Sequence, residues 1–191
     1  MSRSLPPGYF EALYARSPDP WRFETSAYED AKYTATLAAL PRPRYAQALE
    51  VGCSIGVLTR QLAARCDALV AIDPAERALA LARGRCRDLP HVSFVQGLVP
   101  EDWPGGRFDL ILLSEVVYYL GAEDVVALAG RVMDSIAPGG HVELVHWLGE
   151  TDYPLSGDEA TERFVAALDV RFQPVLRQRT GEYRLDLLAV R

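Results

Sequence analysis

Residues 49–56 read Leu-Glu-Val-Gly-Cys-Ser-Ile-Gly, and this stretch predicts the fold. It completes a short apolar run, Ala46 to Val51, that is typical of a β-strand, and it precedes helical spacing from Val57 to about Cys66. Glycines at such a turn let the backbone bend sharply and approach a ligand closely. We therefore expect a strand–turn–helix unit whose turn faces a ligand site.

An acidic residue ends the next predicted strand. Leu69 to Ile72 is apolar and is followed by Asp73 and Pro74, with Asp73 seventeen residues after Gly56. In doubly wound folds an acid at this position accepts hydrogen bonds from ribose hydroxyls. The alternative interpretation is a tight turn with a solvated aspartate, or a helix cap at Asp73.

The remaining elements alternate in the same way. Further strands are predicted at 92–96, 108–113 and 141–146, and helices at 9–15, 27–40, 74–87, 122–136 and 158–168, with Asp158 as a cap. Residues 171–178 and 183–190 predict a terminal hairpin with an antiparallel edge strand. The pattern favours one α/β domain over residues 1–191, a doubly wound, mostly parallel, seven-stranded Rossmann-like sheet. Residues 1–44 would form an N-terminal helical cap and residues 45–191 the core.

The composition excludes several classes of protein. The chain has 191 residues, 49% of them apolar, and a net charge of −6, which fits a soluble domain and disfavours nucleic-acid binding. Residues 1–20 have no apolar core of the kind a secretory signal needs, and no apolar run approaches the length of a membrane helix, so we expect neither feature. Three cysteines and three histidines are too scattered for a disulfide framework or a metal site. We expect a cytoplasmic protein, and its oligomeric state cannot be read from the sequence.

The glycine turn also indicates the kind of ligand. It lacks the Gly-x-Gly-x-x-Gly spacing of dinucleotide sites and the Gly-Lys-Ser/Thr of nucleoside triphosphatases. Glu50 directly before the first turn residues suits a cationic ligand better than a pyrophosphate. S-adenosylmethionine has a ribose, an adenine, a sulfonium and an ammonium group but no phosphate, so it fits better.

These residues resemble the class I S-adenosylmethionine-dependent methyltransferases. The likeness rests on Glu50 to Gly56, Asp73, the strand 108–113 with Ser114 and Glu115 after it, and the turn 138–140. It extends over about Ala46 to Trp147 and implies S-adenosylmethionine as cofactor. The residues that it implies at the cofactor are Glu50, Gly52, Cys53, Gly56, Asp73, Pro74, Gly97, Leu98, Val99, Ser114 and Glu115. Two positions depart from the usual pattern: Ser54 replaces a glycine, and Leu98 replaces an acid that meets adenine.

A narrower resemblance is to the nodulation protein S-like methyltransferases. It rests on residues 19–22, 28–33, 114–120, 146–147 and 152–159, beginning with Asp-Pro-Trp-Arg. The named member of that group is an N-methyltransferase acting on a glucosamine amine of a chitooligosaccharide. The resemblance implies that Trp21, Tyr28 and Lys32 lie near the cofactor, with Lys32, the sole lysine, meeting its carboxylate. Alternatively, Lys32 is a solvated surface residue and Trp21 a core anchor.

The acceptor side is expected after the fourth and fifth strands. Glu115 is a candidate general base or a holder of an acceptor amine, and Tyr118 a candidate for lining the pocket. His146 ends a strand at the same edge and is a second candidate base. The alternatives are packed loop tyrosines and an ordinary strand-end histidine.

The sequence thus predicts a methyltransferase that acts on a small polar acceptor, most plausibly the nitrogen of an amino sugar or similar amine. An O-methyltransferase for a small molecule and a catalytically silent S-adenosylmethionine-binding module remain open alternatives. A nicotinamide dehydrogenase is disfavoured because the dinucleotide glycine spacing is missing.

Overall fold

Helices and strands alternate along residues 3–191, the part of the chain that the computed structural model describes. The strands are β1 (Tyr45–Val51), β2 (Cys66–Asp73), β3 (Val92–Gln96), β4 (Phe108–Ser114), β5 (Ile136–Trp147), β6 (Phe172–Arg179) and β7 (Tyr183–Val190). The helices are α1 (Pro7–Arg16), α2 (Ala27–Ala39), α3 (Val57–Ala63), α4 (Glu76–Arg85), α5 (Ala122–Ser135) and α6 (Gly157–Ala167). A single 3-10 turn, Val117–Tyr119, follows β4.

All seven strands form one sheet in the order β3-β2-β1-β4-β5-β7-β6. The first five are parallel, whereas β7 runs antiparallel to both of its neighbours. The strand order reverses between β1 and β4, which is where open α/β sheets bind ligands. The doubly wound, mostly parallel fold with a C-terminal hairpin is therefore confirmed. One detail differs from the prediction of an antiparallel edge strand. The antiparallel strand, β7, lies between β5 and β6, and β6 is the edge strand.

Helices cover both faces of β4. Leu110 and Leu112 belong to one buried cluster with residues of α2 and α3, whereas Ile111 and Leu113 belong to another with residues of α5 and α6. A strand without a solvated face needs apolar side chains at successive positions, which explains the continuous apolar run. Such a run positions Ser114 and Glu115, which follow it, rigidly at the ligand edge of the sheet.

Several predicted boundaries differ by a few residues, as in α4, which begins at Glu76 and not at Pro74. Two of the differences arise from pairing and capping. Cys66 does not end α3, because it pairs with Tyr45 as the first residue of β2. Asp158 does not cap α6, because the Ser156 hydroxyl accepts the backbone N–H of Glu159 while the Glu159 side chain accepts that of Ser156. Asp158 instead forms ion pairs with two arginines of the terminal hairpin, Arg179 and Arg184.

The turn at residues 138–140 does not precede β5 but lies within it. Ile136 already pairs with Phe108, and pairing resumes at His141 opposite Leu110. Gly139 has a φ of 71° in this irregular stretch, which a side chain would strain.

The N-terminal cap lies over the ligand edge of the sheet. Phe10 and Tyr14 of α1 pack against Ile55, Ala75 and Ala78. Helix α2 follows, and the hydroxyl of Ser26 caps it by accepting the backbone N–H of Glu29 at 3.3 Å. The cap therefore carries aromatic and charged side chains to the ends of β1, β2 and β4.

No helix formed by residues 3–191 is both long enough and apolar enough to cross a membrane.

Glu143 of β5 is a fully buried carboxyl group, and neither of its oxygens has a hydrogen-bond partner among residues 3–191. Burial raises the pKa of Glu143 well above its usual range. Because an unsatisfied buried polar group costs free energy, Glu143→Met should raise the free energy of unfolding by about 1–3 kcal/mol. Urea denaturation of both proteins measures this change.

The gain from Glu143→Met should also grow with pH. A carboxyl whose folded pKa is raised contributes stability that is full below its unfolded pKa and is lost as pH rises through the folded pKa. The wild type should therefore lose stability relative to the variant as pH rises above the ordinary range of a carboxyl pKa. Glu143→Gln keeps a polar group but does not titrate, so its difference from Glu143→Met should be independent of pH. If the free energy of unfolding varied with pH in the same way for the wild type and for Glu143→Met, this account would be contradicted.

Candidate active site

A cavity of about 340 Å³, here called the central cavity, lies between the N-terminal cap and the ends of β1, β2 and β4. Its walls combine apolar surface with a few charged groups, as small-molecule sites do. Twelve of the residues expected at a site from the sequence line it: Trp21, Tyr28, Lys32, Gly52, Asp73, Pro74, Gly97, Leu98, Val99, Ser114, Glu115 and Tyr118. The structure thus brings together segments that are far apart in the chain.

The glycine turn forms one wall because it can approach closely. Gly52 has a φ of 80°, and a Cβ atom there would lie 2.3 Å from Cγ2 of Val116. Gly56 has a φ of 78°, and its Cβ would lie 2.9 Å from Ala82 of α4. Glycine at 52 thus allows the backbone to border the cavity, whereas glycine at 56 allows α3 to pack on α4.

Asp73 holds the turn in place with both carboxylate oxygens. Oδ2 accepts the backbone N–H of Ser54 at 2.9 Å, and Oδ1 accepts that of Ala75 at 2.9 Å. Ser54 itself has a φ of 51°, a conformation that favours glycine. Burial raises the pKa of Asp73 to about 6, and the two backbone donors lower it in part. Asp73 is 6% exposed, so its remaining acceptor sites face the cavity.

The wall formed by residues 97–99 is apolar. The Gly97 N–H donates to the backbone oxygen of Asp73 at 3.1 Å, which fastens the end of β3 to that of β2. The Leu98 N–H is taken by the side chain of Asp102 at 3.0 Å, and Asp102 does not line the cavity. Residues 97–99 and Asp102 therefore present no carboxylate to the cavity in place of the acid that Leu98 replaces.

Lys32 is buried in an ion-pair cluster, not solvated. It is 1% exposed, and its Nζ lies 3.1 Å from Oε1 of Glu29 and 2.5 Å from Oε1 of Glu115. The ring centroid of Tyr28, one helical turn away, lies 5.1 Å from Nζ. Burial lowers the pKa of Lys32, but Glu115 and Glu29 raise it more. Lys32 also lines the central cavity, so its ammonium can meet a ligand bound there.

Glu115 is held at three points. Its Oε2 accepts the hydroxyl of Tyr118 at 2.7 Å and the backbone N–H of Trp147 at 2.9 Å, while Oε1 accepts from Lys32. Its φ of 58° is rare for a side-chain-bearing residue and is found preferentially at functional sites. Burial raises the pKa of Glu115, but Lys32 and the other donors lower it more, so the group stays ionised.

His146 lies behind the cavity and not in it. It is fully buried, its Nε2 accepts the backbone N–H of Val117 at 3.2 Å, and its Nδ1 lies 3.2 Å from the hydroxyl of Thr161. Burial lowers the pKa of His146 to about 4. This differs from the expectation that His146 touches the acceptor, because both nitrogens already join the turn after β4 to α6.

Three further residues implied at the cofactor lie outside the central cavity. Glu50 and Cys53 line a separate inner cavity of about 30 Å³ beneath the turn, together with Gly52 and Glu115. Glu50 is 1% exposed, its Oε2 has no hydrogen-bond partner among the described residues, and burial raises its pKa to about 8. Gly56 packs against α4 and reaches neither cavity.

Sequence reasoning missed most of the aromatic and polar lining that the cap contributes. Tyr14 hydrogen-bonds the hydroxyl of Ser54, and the ring of Trp21 stacks on Phe23 with 5.5 Å between centroids. Glu29 was missed although it precedes Lys32 by three residues, the spacing of a helical ion pair. That spacing could have identified Glu29, whereas nothing in the sequence joins Tyr14 to the turn forty residues later.

Comparison with known proteins gives a consistent result. The family model described as Nodulation protein S (NodS) matches residues 12–138. Nodulation protein S of Sinorhizobium fredii is 37% identical over 128 residues, which are 65% of this chain and 58% of that protein. Trans-aconitate 2-methyltransferase of Deinococcus radiodurans is 29% identical over 139 residues, 73% of this chain and 50% of that protein. The chain spans 53–58% of the length of the first three curated relatives.

Two solved structures are also similar. A candidate methyltransferase from Pseudomonas syringae is 36% identical with a TM-score of 0.76, and the match covers 86% of this chain and 99% of that one. The N-methyltransferase NodS of Bradyrhizobium japonicum WM9 in complex with S-adenosyl-L-homocysteine has a TM-score of 0.83 at 23% identity. That match covers 96% of this chain and 97% of the other, and it shows that the two chains share a fold.

Proposed function

Because the chain belongs to the nodulation protein S family, we propose that it is an S-adenosylmethionine-dependent methyltransferase acting on the nitrogen of a small polar amine, such as an amino sugar. The observation that carries this proposal most is the position of Asp73. Its carboxylate lies beside the bare glycine turn in the same cavity as the ion-paired Glu115. One cavity thus combines a ribose acceptor with a negative group for an amine.

The residues of the central cavity fit this cofactor. At Gly52 a Cβ atom would collide with the side chain of Val116, so the turn presents bare backbone where it lines the cavity. Asp73 would accept the ribose hydroxyls, the wall at residues 97–99 would pack on the adenine, and the ammonium of Lys32 would meet the carboxylate. Glu50, in the adjoining inner cavity, would face the ammonium group, whose positive charge would lower the raised pKa of Glu50 and favour its ionised form. The cofactor, when bound, supplies an electrophilic methyl group on its sulfonium.

The protein's own contribution is alignment rather than proton transfer. Glu115 stays ionised and three donors occupy its oxygens, which makes it a weak base but a fixed acceptor for an amine N–H. Tyr118 would orient Glu115 through its hydroxyl. His146 would act as a positioning residue that fixes the turn carrying Tyr118. An acceptor that arrives as an ammonium ion would lose one proton to water before transfer, because only a nitrogen with a free lone pair can attack the methyl group.

The charge of the site favours an amine over a carboxylate acceptor. Lys32 is neutralised by two carboxylates, so the cluster with Glu29 and Glu115 has a negative net charge when all three groups are ionised. A carboxylate acceptor beside Glu115 would meet repulsion from the Glu115 oxygens, whereas the carboxylate of the cofactor would lie against the ammonium of Lys32. The trans-aconitate methyltransferase among the relatives therefore does not indicate the acceptor class of this chain.

A location in the cytoplasm belongs to the same proposal. Cys53, Cys66 and Cys86 are free and buried, as expected in a reducing compartment. The net charge of −6 disfavours a nucleic-acid acceptor.

Methyl transfer from labelled S-adenosylmethionine to a panel of amino sugars, alkylamines, phenols and carboxylates tests the function. We expect product with the amines alone. Product with phenols or carboxylates would instead identify an O-methyltransferase. Cofactor binding without transfer to any member of the panel would favour a silent binding module.

Glu115→Gln tests the role of the carboxylate. We expect kcat/KM to fall roughly 10- to 150-fold, since a hydrogen bond to a charged group is worth about 1.5–3 kcal/mol. The shape of the pH–rate profile should not change, because the pKa of Glu115 lies below its usual range and the group is ionised throughout the assay. Glu101→Gln, at an exposed position, is the control. Loss of the acidic limb in Glu115→Gln would identify Glu115 as a general base.

A further inference from the structure

The central cavity continues into a second depression on the surface, here called the outer groove. The outer groove has a volume of about 440 Å³ and is lined by Leu5, Tyr9, Trp147, Glu150, Thr151, Asp152 and Tyr153. Leu5, Trp147 and Tyr153 line the central cavity as well. An acceptor whose nitrogen reaches Glu115 therefore has a path for the rest of its structure along this groove.

Aromatic faces form the wall between the two cavities. The ring of Tyr153 lies 5.2 Å from that of Tyr118 and 4.7 Å from that of Tyr119, measured between centroids, so neighbouring rings hold it in place. Trp147 is 38% exposed although it is a large aromatic residue. Exposed indole and phenol faces carry negative electrostatic potential and attract ammonium groups.

The charged groups of the outer groove are acidic. Glu150 and Asp152 are exposed, and within residues 3–191 neither forms an ion pair. Neither lysine nor arginine lines the groove in the described part of the chain. In the central cavity Lys32 is the one such cation among the lining residues, and Glu29 and Glu115 neutralise it. The path from the surface to Glu115 is therefore negative along its length.

The residues of the outer groove lie outside the part of the chain that matches the family model. That match covers residues 12–138, whereas the groove is built from residues 5, 9 and 147–153. The family model therefore assigns no ligand to the groove, although Trp147, Asp152 and Tyr153 belong to the stretches that resemble the nodulation protein S-like group.

We propose that the acceptor carries a second cationic group besides the methylated nitrogen, and that this group binds between Trp147 and the carboxylates of Glu150 and Asp152. This inference rests on the proposed methyltransferase function and specifies its substrate class as a dicationic amine. Linear diamines and oligomers of unacetylated amino sugars share that chemistry. The aromatic wall packs on the connecting atoms, and the acids select the charge.

Two matched pairs of acceptors test the charge requirement. The first compares a β-1,4-linked glucosamine disaccharide with the same disaccharide acetylated on its reducing-end amine. The second compares 1,3-diaminopropane with propylamine. We expect the dication of at least one pair to have a KM roughly tenfold lower than its monocation, and the preference to weaken at high salt. A preference within the disaccharide pair would indicate an amino-sugar acceptor, and a preference within the propylamine pair would indicate a linear diamine.

The double variant Glu150→Gln/Asp152→Asn tests the site itself. It should raise KM for the preferred dication about tenfold and leave the KM of the monocation and the affinity for S-adenosylhomocysteine unchanged. Glu123→Gln/Asp134→Asn removes two exposed acids elsewhere and should change none of these values. Equal KM values within both pairs, or a double variant like the wild type, would overturn the proposal.

A binding measurement separates failure of this proposal from failure of the proposed function. Titration of 1,3-diaminopropane and of the disaccharide, with S-adenosylhomocysteine present, should change the fluorescence of Trp147, and Trp147→Phe should abolish the change. Binding of a dication without methyl transfer would contradict the proposed function but support the cation site in the groove. Methyl transfer without any preference for a dication would support the function but contradict the cation site in the groove. Equally weak binding of monocations and dications would also contradict that site.

Discussion

Replacing Lys32 by alanine is expected to destabilise the fold by about 3–5 kcal/mol and to remove detectable cofactor binding. The substitution would leave Glu29 and Glu115 as two carboxylates in a buried cluster without their shared cation. Removal of one partner from a buried ion pair typically costs this much. Guanidinium denaturation measures the loss of stability, and calorimetric titration with S-adenosylhomocysteine measures the loss of affinity.

Three further variants make the Lys32 result specific. Lys32→Arg should retain much of the affinity, because a guanidinium can also meet a carboxylate. Lys32→Met combined with Glu115→Gln removes one charge of each sign and should recover most of the stability. Arg77→Ala breaks an exposed pair with Glu11, whose atoms lie 3.3 Å apart, and should cost less than 1 kcal/mol. Equal stability of Lys32→Ala and the wild type would contradict the buried cluster.

Lowering the pH should partly rescue Lys32→Ala. Burial already raises the pKa of Glu29 in the presence of Lys32, and loss of the ammonium would raise it further. A carboxyl with a raised folded pKa favours the folded state more as pH falls. The stability difference between wild type and variant should therefore shrink from pH 8 towards pH 5.

Replacing Asp73 by asparagine is expected to weaken binding of S-adenosylhomocysteine roughly 10- to 150-fold. The amide keeps the shape of the side chain but loses the charge that would accept ribose hydroxyls, and such charged hydrogen bonds contribute about 1.5–3 kcal/mol. Wild-type affinity should also fall as pH decreases through about 6, the pKa to which burial raises Asp73, because the protonated carboxyl accepts less. The asparagine variant should lack that dependence.

Asp109→Asn is the matched control for Asp73→Asn. Asp109 also accepts two backbone N–H groups, from Ala46 at 2.9 Å and Gln47 at 2.8 Å, but it lies at the start of β4 outside the central cavity. We expect it to lose stability and to retain cofactor affinity. Unchanged affinity in Asp73→Asn would refute the ribose site proposed here.

The sequence predicted elements whose signals are local. The helical spacing of apolar residues over 27–40 placed α2 within a residue of its observed bounds, Ala27–Ala39. The glycine turn and the acid at Asp73 were found because a strand, a turn and a helix follow each other directly. The capping of α6 was misread because Ser156 and Asp158 are both good caps, and only the reciprocal bond with Glu159 distinguishes them.

The partners of the charged groups could not be predicted in the same way. Glu115 bonds Lys32, which is 83 residues away in the chain, and the backbone of Trp147, which is 32 residues away. His146 looked like a base at the sheet edge, yet the turn at Val117 and the helix at Thr161 take both of its nitrogens. The outer groove likewise joins Tyr9 of α1 to the loop after β5.

The sequence by itself determined the sheet, the glycine turn and the acid that follows it, because apolar periodicity and turn chemistry act between neighbouring residues. The tertiary structure alone decided that Lys32 is a buried counter-ion, that Glu115 stays ionised and that His146 is withdrawn from the site. Those properties depend on burial and on charges brought together from distant segments. Electrostatic interactions between such groups are strong where water is excluded, and the order of residues along the chain does not record that exclusion.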